Sequence, residues 1–299
     1  MGEISRITMS ILKMTQQETI SDDKKLLKQN DHMRTLEQIE LTITAISRPF
    51  PSILRLRGKI DTVQPDMWEK PNLAVRIGVA QDAEQSLITR VYTIRSFDPD
   101  RHEVEIDLIE HEDESPAMQW IHSAKVGTKT QLIGPRPHFV PDFNTKKHIV
   151  MFSDETALPA LYSILQFWPE DIHADIFIES NEPNILEYLP KHSQVHMHLL
   201  LRKHQDQAGK MGLLLKAAYQ FRETDNIAVW AACERNEARA IRQFFVEEKS
   251  LAKKDVQVTG YWNVGLSSSI LDEVRFEYYQ KHINAGKTLE SFDDLDMPV

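Results

Sequence analysis

Arg90-Val91-Tyr92-Thr93-Ile94-Arg95 places a cation, a phenol and a hydroxyl close together in a stretch that reads as a β-strand. Because successive side chains of a strand point to opposite faces, residues 90, 92 and 94 are expected on one face and residues 91, 93 and 95 on the other. A guanidinium matches phosphate oxygens with its fork of donors, and a tyrosine ring stacks on flat aromatic systems. The stretch predicts a strand that can hold a flavin, although a polar-faced strand of an antiparallel sheet has the same pattern.

Short β-rich segments surround this strand. Turn residues separate six of them, at 41–46, 52–57, 73–79, 90–95, 103–108 and 130–133. Six short strands in this arrangement predict a small barrel. Between the last two, Pro116 to Ser123 predicts a short helix, and the backbone N–H groups at its start would suit a phosphate.

After Pro141, apolar strands alternate with helical patterns. The strands are expected at 148–152, 174–178, 195–201, 227–231 and 256–261, and the helices at 156–167, 183–189, 207–221 and 236–248. This alternation predicts a parallel sheet covered on both faces, with ligands bound outside the carboxyl ends of its strands. Asp154-Glu155-Thr156 lies at such an end, where the Thr156 hydroxyl could face a ligand or where Asp154 or Thr156 could cap the helix.

The ends of the chain complete a prediction of four segments. Residues 1–40 are a polar extension, with a helix expected over 21–39, and residues 41–142 form the barrel. Residues 143–265 form the α/β domain, and residues 266–299 form a C-terminal helix, expected over 267–282, with an acidic tail.

Composition limits the classes of function. The chain has 299 residues with 41% hydrophobic side chains, which is enough for two cores. A formal net charge of -10 disfavours a nonspecific nucleic-acid binder. The single cysteine, Cys233, cannot form an internal disulfide, which favours the cytoplasm. The sequence contains no apolar run long enough to span a bilayer, so stable membrane insertion is not expected.

Several common site motifs are missing from the sequence. It has no G-x-G-x-x-G fingerprint and no Walker A loop, so the usual nicotinamide dinucleotide site is not expected. Ser267-Ser268-Ser269 does not complete the Gly-x-Ser-x-Gly elbow of serine hydrolases. His196 and His198 would share a strand face near His192, but no cysteine or carboxylate completes the set at ligand spacing, so no metal site is predicted.

Further motifs follow the first along the chain, and their order is informative. They are Asp107-Leu108-Ile109-Glu110-His111, Ser115-Pro116-Ala117 with Trp120, Gly134-Pro135-Arg136, the run from Asp154 to Ala160, and Gly260-Tyr261-Trp262. The series resembles the siderophore-interacting protein family, flavin-dependent ferric-siderophore reductases related to the ferredoxin-reductase superfamily. The resemblance extends from about Leu41 to Gly265. It implies a six-stranded antiparallel FAD-binding barrel followed by a parallel-sheet α/β domain like the NAD(P)H domain of that superfamily.

The same resemblance implies FAD as the cofactor and indicates which residues hold it. These are Arg90, Val91, Tyr92, Thr93, Asp107, Ile109, His111, Ser115, Ala117, Trp120 and Thr156. No catalytic side chain is expected beyond the flavin. Arg136, Arg57 and Lys59 are candidates for binding an anionic ferric chelate.

The expected activity is FAD-dependent reduction of a ferric siderophore, with release of Fe(II) in the cytoplasm. Two alternatives stay open: a flavin oxidoreductase with another acceptor, and a siderophore-binding protein without enzymatic activity. The second alternative is motivated by Glu112-Asp113-Glu114, which stands where the family usually has glycines. Carboxylates at that place would repel a pyrophosphate.

The electron donor is expected to be a ferredoxin-like protein or NAD(P)H. The protein donor is favoured because Asn263 follows Tyr261-Trp262 where the family often has arginine, and because the helix over 267–282 could cover a nicotinamide crevice. An acidic carrier would need a basic patch on this acidic chain. Candidates for that patch are Lys210, Lys216, Arg239 and Arg242.

Overall fold

The computed structural model describes residues 36–110, 115–144, 148–203, 205–222, 226–287 and 294–297. They form a closed six-stranded antiparallel barrel followed by a five-stranded parallel sheet with helices. The fold predicted from the sequence is therefore confirmed. His111, the acidic Glu112–Glu114 loop and residues 1–35 lie outside the described residues.

The barrel contains six strands in the order β1-β2-β5-β4-β3-β6. They are β1 (Glu37–Phe50), β2 (Ile53–Ile60), β3 (Leu73–Gln81), β4 (Leu87–Asp98), β5 (Glu103–Ile109) and β6 (Lys129–Pro137). Alternate apolar side chains, such as Ile77, Ile106 and Leu132, are buried in one core. Helix α1 (Pro116–Ser123), predicted at these bounds, packs against this core through Met118 and Ile121.

The start of β1 corrects one prediction. The helix expected over 21–39 is wrong for residues 37–39, because β1 begins at Glu37 and pairs with β6. Ile39, Leu41 and Ile43 alternate with polar residues, and this period of two places all three against the barrel core.

The second domain has the strand order β11-β10-β7-β8-β9. Its strands are β7 (His148–Ser153), β8 (His173–Ser180), β9 (Val195–Leu201), β10 (Ile227–Glu234) and β11 (Val256–Trp262). Its helices are α2 (Leu158–Gln166), α3 (Leu213–Gln220), α4 (Arg235–Gln243) and α5 (Ser268–Asn284). Separate apolar clusters cover the two faces of the sheet, as expected for a doubly covered parallel sheet.

Two helices of this domain are shorter than predicted. The segment predicted as a helix over 183–189 contains only a 3₁₀ turn, Ile185–Tyr188. Helix α3 begins at Leu213 rather than near residue 207, because Gly209 and Gly212 have φ values of +70° and +60°. These left-handed conformations interrupt a right-handed helix.

The two domains meet where α2 packs against β4. Ser163 of α2 accepts a hydrogen bond from the backbone N–H of Asn72 at 2.9 Å. The Asn72 amide and the Trp230 indole both donate to the carbonyl of Phe139, at 2.6 and 3.0 Å. These buried polar contacts join α2 and β10 of the second domain to residues 72 and 139 beside the barrel.

None of the helices in the described residues has the length and apolar character needed to cross a bilayer.

Candidate cofactor and substrate site

An opening between β4 and β5 defines the candidate site on the barrel. β4 pairs with β3 from Leu87 to Ile94, but its pairing with β5 runs only from Ile94 to Asp98. Residues 107–109 of β5 pair instead with β2 alone. Because backbone N–H and C=O groups are obligatory hydrogen-bonding groups, the edge formed by residues 90–93 suits a ligand.

The motif side chains divide between the two faces of β4 as the sequence predicts. Ile94 is buried in the barrel core, and the half-buried Tyr92 packs against the same core. Burial raises the pKa of Tyr92 to about 12, so this phenol is neutral at physiological pH. Thr93 and Arg95 are buried on the opposite face, toward the α/β domain.

Arg90 and Val91 lie at the more open end of this stretch. Val91 is half exposed, and Arg90 donates from Nη1 to the carbonyl of Thr89 at 2.8 Å. The main chain of β4 thus already orients the Arg90 guanidinium beside the open strand edge.

Asp107 contacts two arginines, Arg55 and Arg95, near the open edge. It accepts two hydrogen bonds from Arg55, at 2.6 and 2.8 Å, and lies 3.5 Å from Arg95. Arg95 also lies 3.3 Å above the ring of Tyr162 in α2, which links β4 to the second domain. Ile109 packs against the core of that domain. The structure thus gives Asp107 and Ile109 contacts at the junction, and their binding of FAD stays a prediction.

The first turn of helix α1 is capped by the side chain of Ser115. Ser115 accepts a hydrogen bond from the backbone N–H of Met118 at 3.4 Å, and Pro116 is the first helical residue. Ala117 is buried and Trp120 packs against the barrel core. These three predicted residues therefore set the position of the helix on the barrel.

Asp154 directly follows the carboxyl end of β7. One of its oxygens accepts hydrogen bonds from the N–H and the hydroxyl of Thr156, at 2.9 and 2.5 Å. The other accepts from the Trp262 indole at 2.8 Å. Asp154 is therefore the cap of the turn, and the Thr156 hydroxyl donates to it. Burial raises the pKa of Asp154 to about 6, although these hydrogen bonds act in the opposite direction.

Tyr261 contributes a buried hydroxyl that was not among the predicted site residues. Burial raises its pKa to about 12, and Thr93 of the barrel is its neighbour across the junction. The Thr93 side chain lies close enough to lower the pKa of Tyr261 as a hydrogen-bond partner, but within the described part of the chain their contact does not have normal hydrogen-bond geometry. A buried hydroxyl left with no partner costs about 1 to 3 kcal/mol, and a poorly aligned partner recovers only part of that cost, so a ligand that supplied a better-aligned partner here would be favoured. The Gly260-Tyr261-Trp262 motif is the sequence signal that marks it.

The three predicted substrate-binding cations do not form one cluster. Arg136 is an exposed residue of β6, whereas Arg57 and Lys59 are exposed residues of β2. Strand β1 separates β2 from β6, and Arg57 pairs with Glu105 at 2.8 Å. Arg136 has a half-buried neighbour, His138, whose pKa falls to about 4 because of desolvation and the Arg136 charge.

His148 lies at the amino end of β7, His192 precedes β9, and His198 lies in the middle of β9. His148 and His198 each contact one oxygen of Asp175, at 2.9 and 2.8 Å, and His192 contacts the carbonyl of Leu165. Among the residues with described positions, no group of three or more such side chains is arranged to hold a metal ion.

Comparison with known sequence families matches both domains. Residues 59–139 match the siderophore-interacting FAD-binding domain, and residues 146–265 match the siderophore-interacting protein family. The chain belongs to the siderophore-interacting protein family. FAD is the cofactor of this family's barrel domain, and the open strand edge and the buried Tyr261 hydroxyl fit it.

Individual members of the family include named reductases. The chain is 55% identical to the ferric acinetobactin reductase of Acinetobacter baumannii over 91% of its own length and 94% of the relative. It is 22% identical to the ferric vibriobactin reductase of Vibrio cholerae, over 64% and 70% of the two lengths.

Solved structures show the same fold. The siderophore-interacting protein from Acinetobacter baumannii has a TM-score of 0.81 and 54% identity, covering 84% of this chain and all of that one. A ferredoxin reductase of carbazole 1,9a-dioxygenase has a TM-score of 0.59 at 13% identity, covering 76% and 70% of the two chains. The second similarity concerns the fold alone.

Proposed function

We propose that this siderophore-interacting protein is an FAD-dependent reductase that converts the Fe(III) of a siderophore to Fe(II). The observation that carries the proposal is the open edge of β4 at the junction where the Thr93 side chain of this strand approaches Tyr261 of the second domain. It occurs in a chain 55% identical to a ferric acinetobactin reductase. Such a junction suits a flat redox cofactor reached from both domains.

The chemistry requires electron delivery rather than a nucleophile. When bound, FAD would supply this delivery, because a flavin can take up two electrons and release them one at a time. Hard oxygen ligands such as catecholate and hydroxamate bind Fe(III) far better than Fe(II), so reduction makes the chelate labile. The chain's own residues would bind and orient the cofactor: Arg90 would hold the pyrophosphate, Tyr92 would stack on the ring system, and Thr93 would line its edge.

The substrate is an anionic ferric chelate in this proposal. Arg136 is the first candidate for contacting it, because the side chain is exposed on β6. Arg57 and Lys59 lie on another wall of the barrel, and the Arg57 charge is already paired with Glu105. We therefore expect Arg136→Gln to raise the KM for the chelate more than Arg57→Gln does.

A protein donor is favoured over NAD(P)H by the carboxyl edge of the sheet. Helix N-termini at such edges bind phosphates through free N–H groups. Here Asp154 accepts from the N–H of Thr156, Glu234 from those of Asn236 and Glu237, and Glu237 from that of Leu215. The chain's own carboxylates thus occupy positions that a pyrophosphate would need, and they would repel it.

In this proposal the reaction takes place in the cytoplasm, and the single cysteine, a buried free thiol, is compatible with a reducing compartment.

Anaerobic stopped-flow reduction tests the donor. Reduced ferredoxin should bleach the flavin faster than NADH or NADPH at equal concentration. Bleaching by either nicotinamide within seconds at submillimolar concentration, a range typical of Michaelis constants, would show this donor assignment to be wrong. Dithionite serves as a reductant that bypasses donor recognition, and it tests iron release independently.

A further inference from the structure

Strand β4 meets the second domain at two points on one of its faces. The Thr93 side chain approaches Tyr261 of β11, and the guanidinium carbon of Arg95 lies 3.3 Å from the centre of the Tyr162 ring in α2. Thr93 and Arg95 are two residues apart, so their side chains point to the same face of the strand. The second contact therefore joins the strand of the open edge to a helix of the other domain.

The barrel holds the Arg95 guanidinium from its own side. Glu105 of β5 accepts a hydrogen bond from it at 2.8 Å, and Asp107 of β5 lies 3.5 Å away. Arg55 and Arg57 of β2 pair with the same two carboxylates, at 2.6 and 2.8 Å. The Arg95 side chain is 9% exposed within this network. Its guanidinium is therefore fixed relative to β4 and β5.

Tyr162 is held by the second domain. It packs against the apolar cluster on the α2 face of the sheet. Tyr162 lies one helical turn after Leu158, and both residues line a small cavity of about 20 Å³ together with Arg95. Leu158 follows Thr156 by two residues. The contact thus connects Thr93 to Thr156, two predicted flavin residues on different domains, through short stretches of β4 and α2.

An arginine over an aromatic ring makes a contact of defined geometry. The planar guanidinium packs on the flat face of the ring, whose negative charge attracts the cation. A lysine ammonium lacks this plane and is more strongly hydrated, so lysine at position 95 would keep the charge and lose the fit. The stacked pair therefore fixes the separation of β4 and α2 more narrowly than apolar packing alone would.

We propose that the Arg95–Tyr162 pair positions the flavin site by setting the width of the crevice between the open edge of β4 and the carboxyl edge of the parallel sheet. Both are positioning residues, because they act on FAD through β4 and α2. The inference rests on the proposed function, since it concerns the same flavin site. A pair that only stabilised the fold would leave the bound flavin unchanged when it was broken.

The test measures FAD affinity and the absorbance spectrum of the bound flavin in variants of the full chain. Arg95→Lys and Tyr162→Leu should each weaken FAD binding about fivefold and shift the spectrum, because each removes the stack. Tyr162→Phe keeps the ring and should match the parent in both measurements. The double variant Arg95→Lys, Tyr162→Leu should bind FAD no more weakly than the weaker single variant, because both substitutions break one contact.

Two control variants separate positioning from a general loss of stability. Tyr219 packs edge-on against Phe244, in the cluster on the other face of the sheet, and Arg101 lies on an exposed barrel turn. Tyr219→Leu should lower the unfolding temperature and leave the FAD affinity and the flavin spectrum unchanged. Arg101→Lys should change none of the three.

Three results would overturn the proposal. These are an unchanged FAD affinity and spectrum in folded Arg95→Lys, additive losses of affinity in the double variant, and a loss in Tyr162→Phe equal to that in Tyr162→Leu. If Tyr162→Leu does not fold, Arg95→Lys decides the question, because it keeps a cation beside Glu105 and Asp107. Neither measurement uses a siderophore, so a failure to release iron would refute the reductase activity and leave this inference standing.

Discussion

Arg90 is the residue with the clearest proposed task, because its guanidinium lies at an open strand edge and is oriented by a main-chain carbonyl. We expect Arg90→Ala to weaken FAD binding by more than about tenfold. A charge-assisted phosphate contact contributes roughly 1.5 to 3 kcal/mol, which is sufficient for that loss. Titration of the FAD-free protein with FAD measures it, with Arg101→Ala as the matched control. Unchanged FAD affinity in Arg90→Ala would refute the assignment.

Tyr92 can be tested separately for its ring and its hydroxyl. Tyr92→Phe keeps the stacking surface and should leave the bound flavin spectrum nearly unchanged, whereas Tyr92→Ala should lower affinity and shift the spectrum. Absorbance difference spectra at saturating FAD compare the two variants. Identical spectra for Tyr92→Ala and the parent would argue against stacking.

Asp154 gives a prediction with a definite sign in pH. Its pKa of about 6 lies above the ordinary value of 3.8, so the folded state holds this proton more tightly than the unfolded state does. The stabilisation is fully present below pH 3.8 and is lost as pH rises through 6. Asp154→Asn removes this dependence.

The free energy of unfolding of Asp154→Asn, relative to the parent, should therefore rise by about 3 kcal/mol or less between pH 4 and pH 7. Urea unfolding of the FAD-free proteins at the two pH values measures the difference, and Asp100→Asn, on an exposed turn, is the control. A difference that stays constant with pH would contradict the effect of burial.

At the scale of single elements, the sequence predicts the strands and helices themselves but not which distant residues they contact. The period-two pattern of residues 90–95 and the bounds of α1 are readable from local residue types. The opening between β4 and β5 is not, because it depends on a register shift after Ile94 and on distant pairing partners. Tyr261 and Trp262 were visible as a motif, but their partners Thr93 and Asp154 are far apart in sequence.

Helix α1 offers a test at this scale. Ser115→Ala removes the N-cap, which should cost about 1 kcal/mol of stability and lower FAD affinity severalfold, if the first turn faces the pyrophosphate. Ser123→Ala is the matched control, because Ser123 donates to the carbonyl of Trp120 at the other end of the helix. Thermal unfolding and FAD titration should separate the two variants. Equal FAD affinity for both would remove α1 from the binding site.

At the scale of the whole molecule, six short strands separated by turn residues predicted the barrel, and the alternation of strands and helices after Pro141 predicted the parallel sheet. The docking of the two domains could not be predicted, since Asn72, Ser163 and Phe139 come together only in the tertiary structure. From the sequence, residues 294–297 were interpreted only as part of an acidic tail. Its apolar residues Leu295 and Met297 are buried through contacts with residues far away in the chain.

The central claim is that electrons pass from FAD in this chain to siderophore-bound Fe(III). The most direct measurement mixes the dithionite-reduced protein, freed of excess reductant, with a ferric catecholate or hydroxamate siderophore under anaerobic conditions, and follows flavin absorbance and Fe(II) captured by a chelator. We predict return of the oxidised flavin spectrum with two Fe(II) released for each FAD, because FAD carries two electrons. A flavin that stays reduced while the siderophore keeps its Fe(III) would contradict the account.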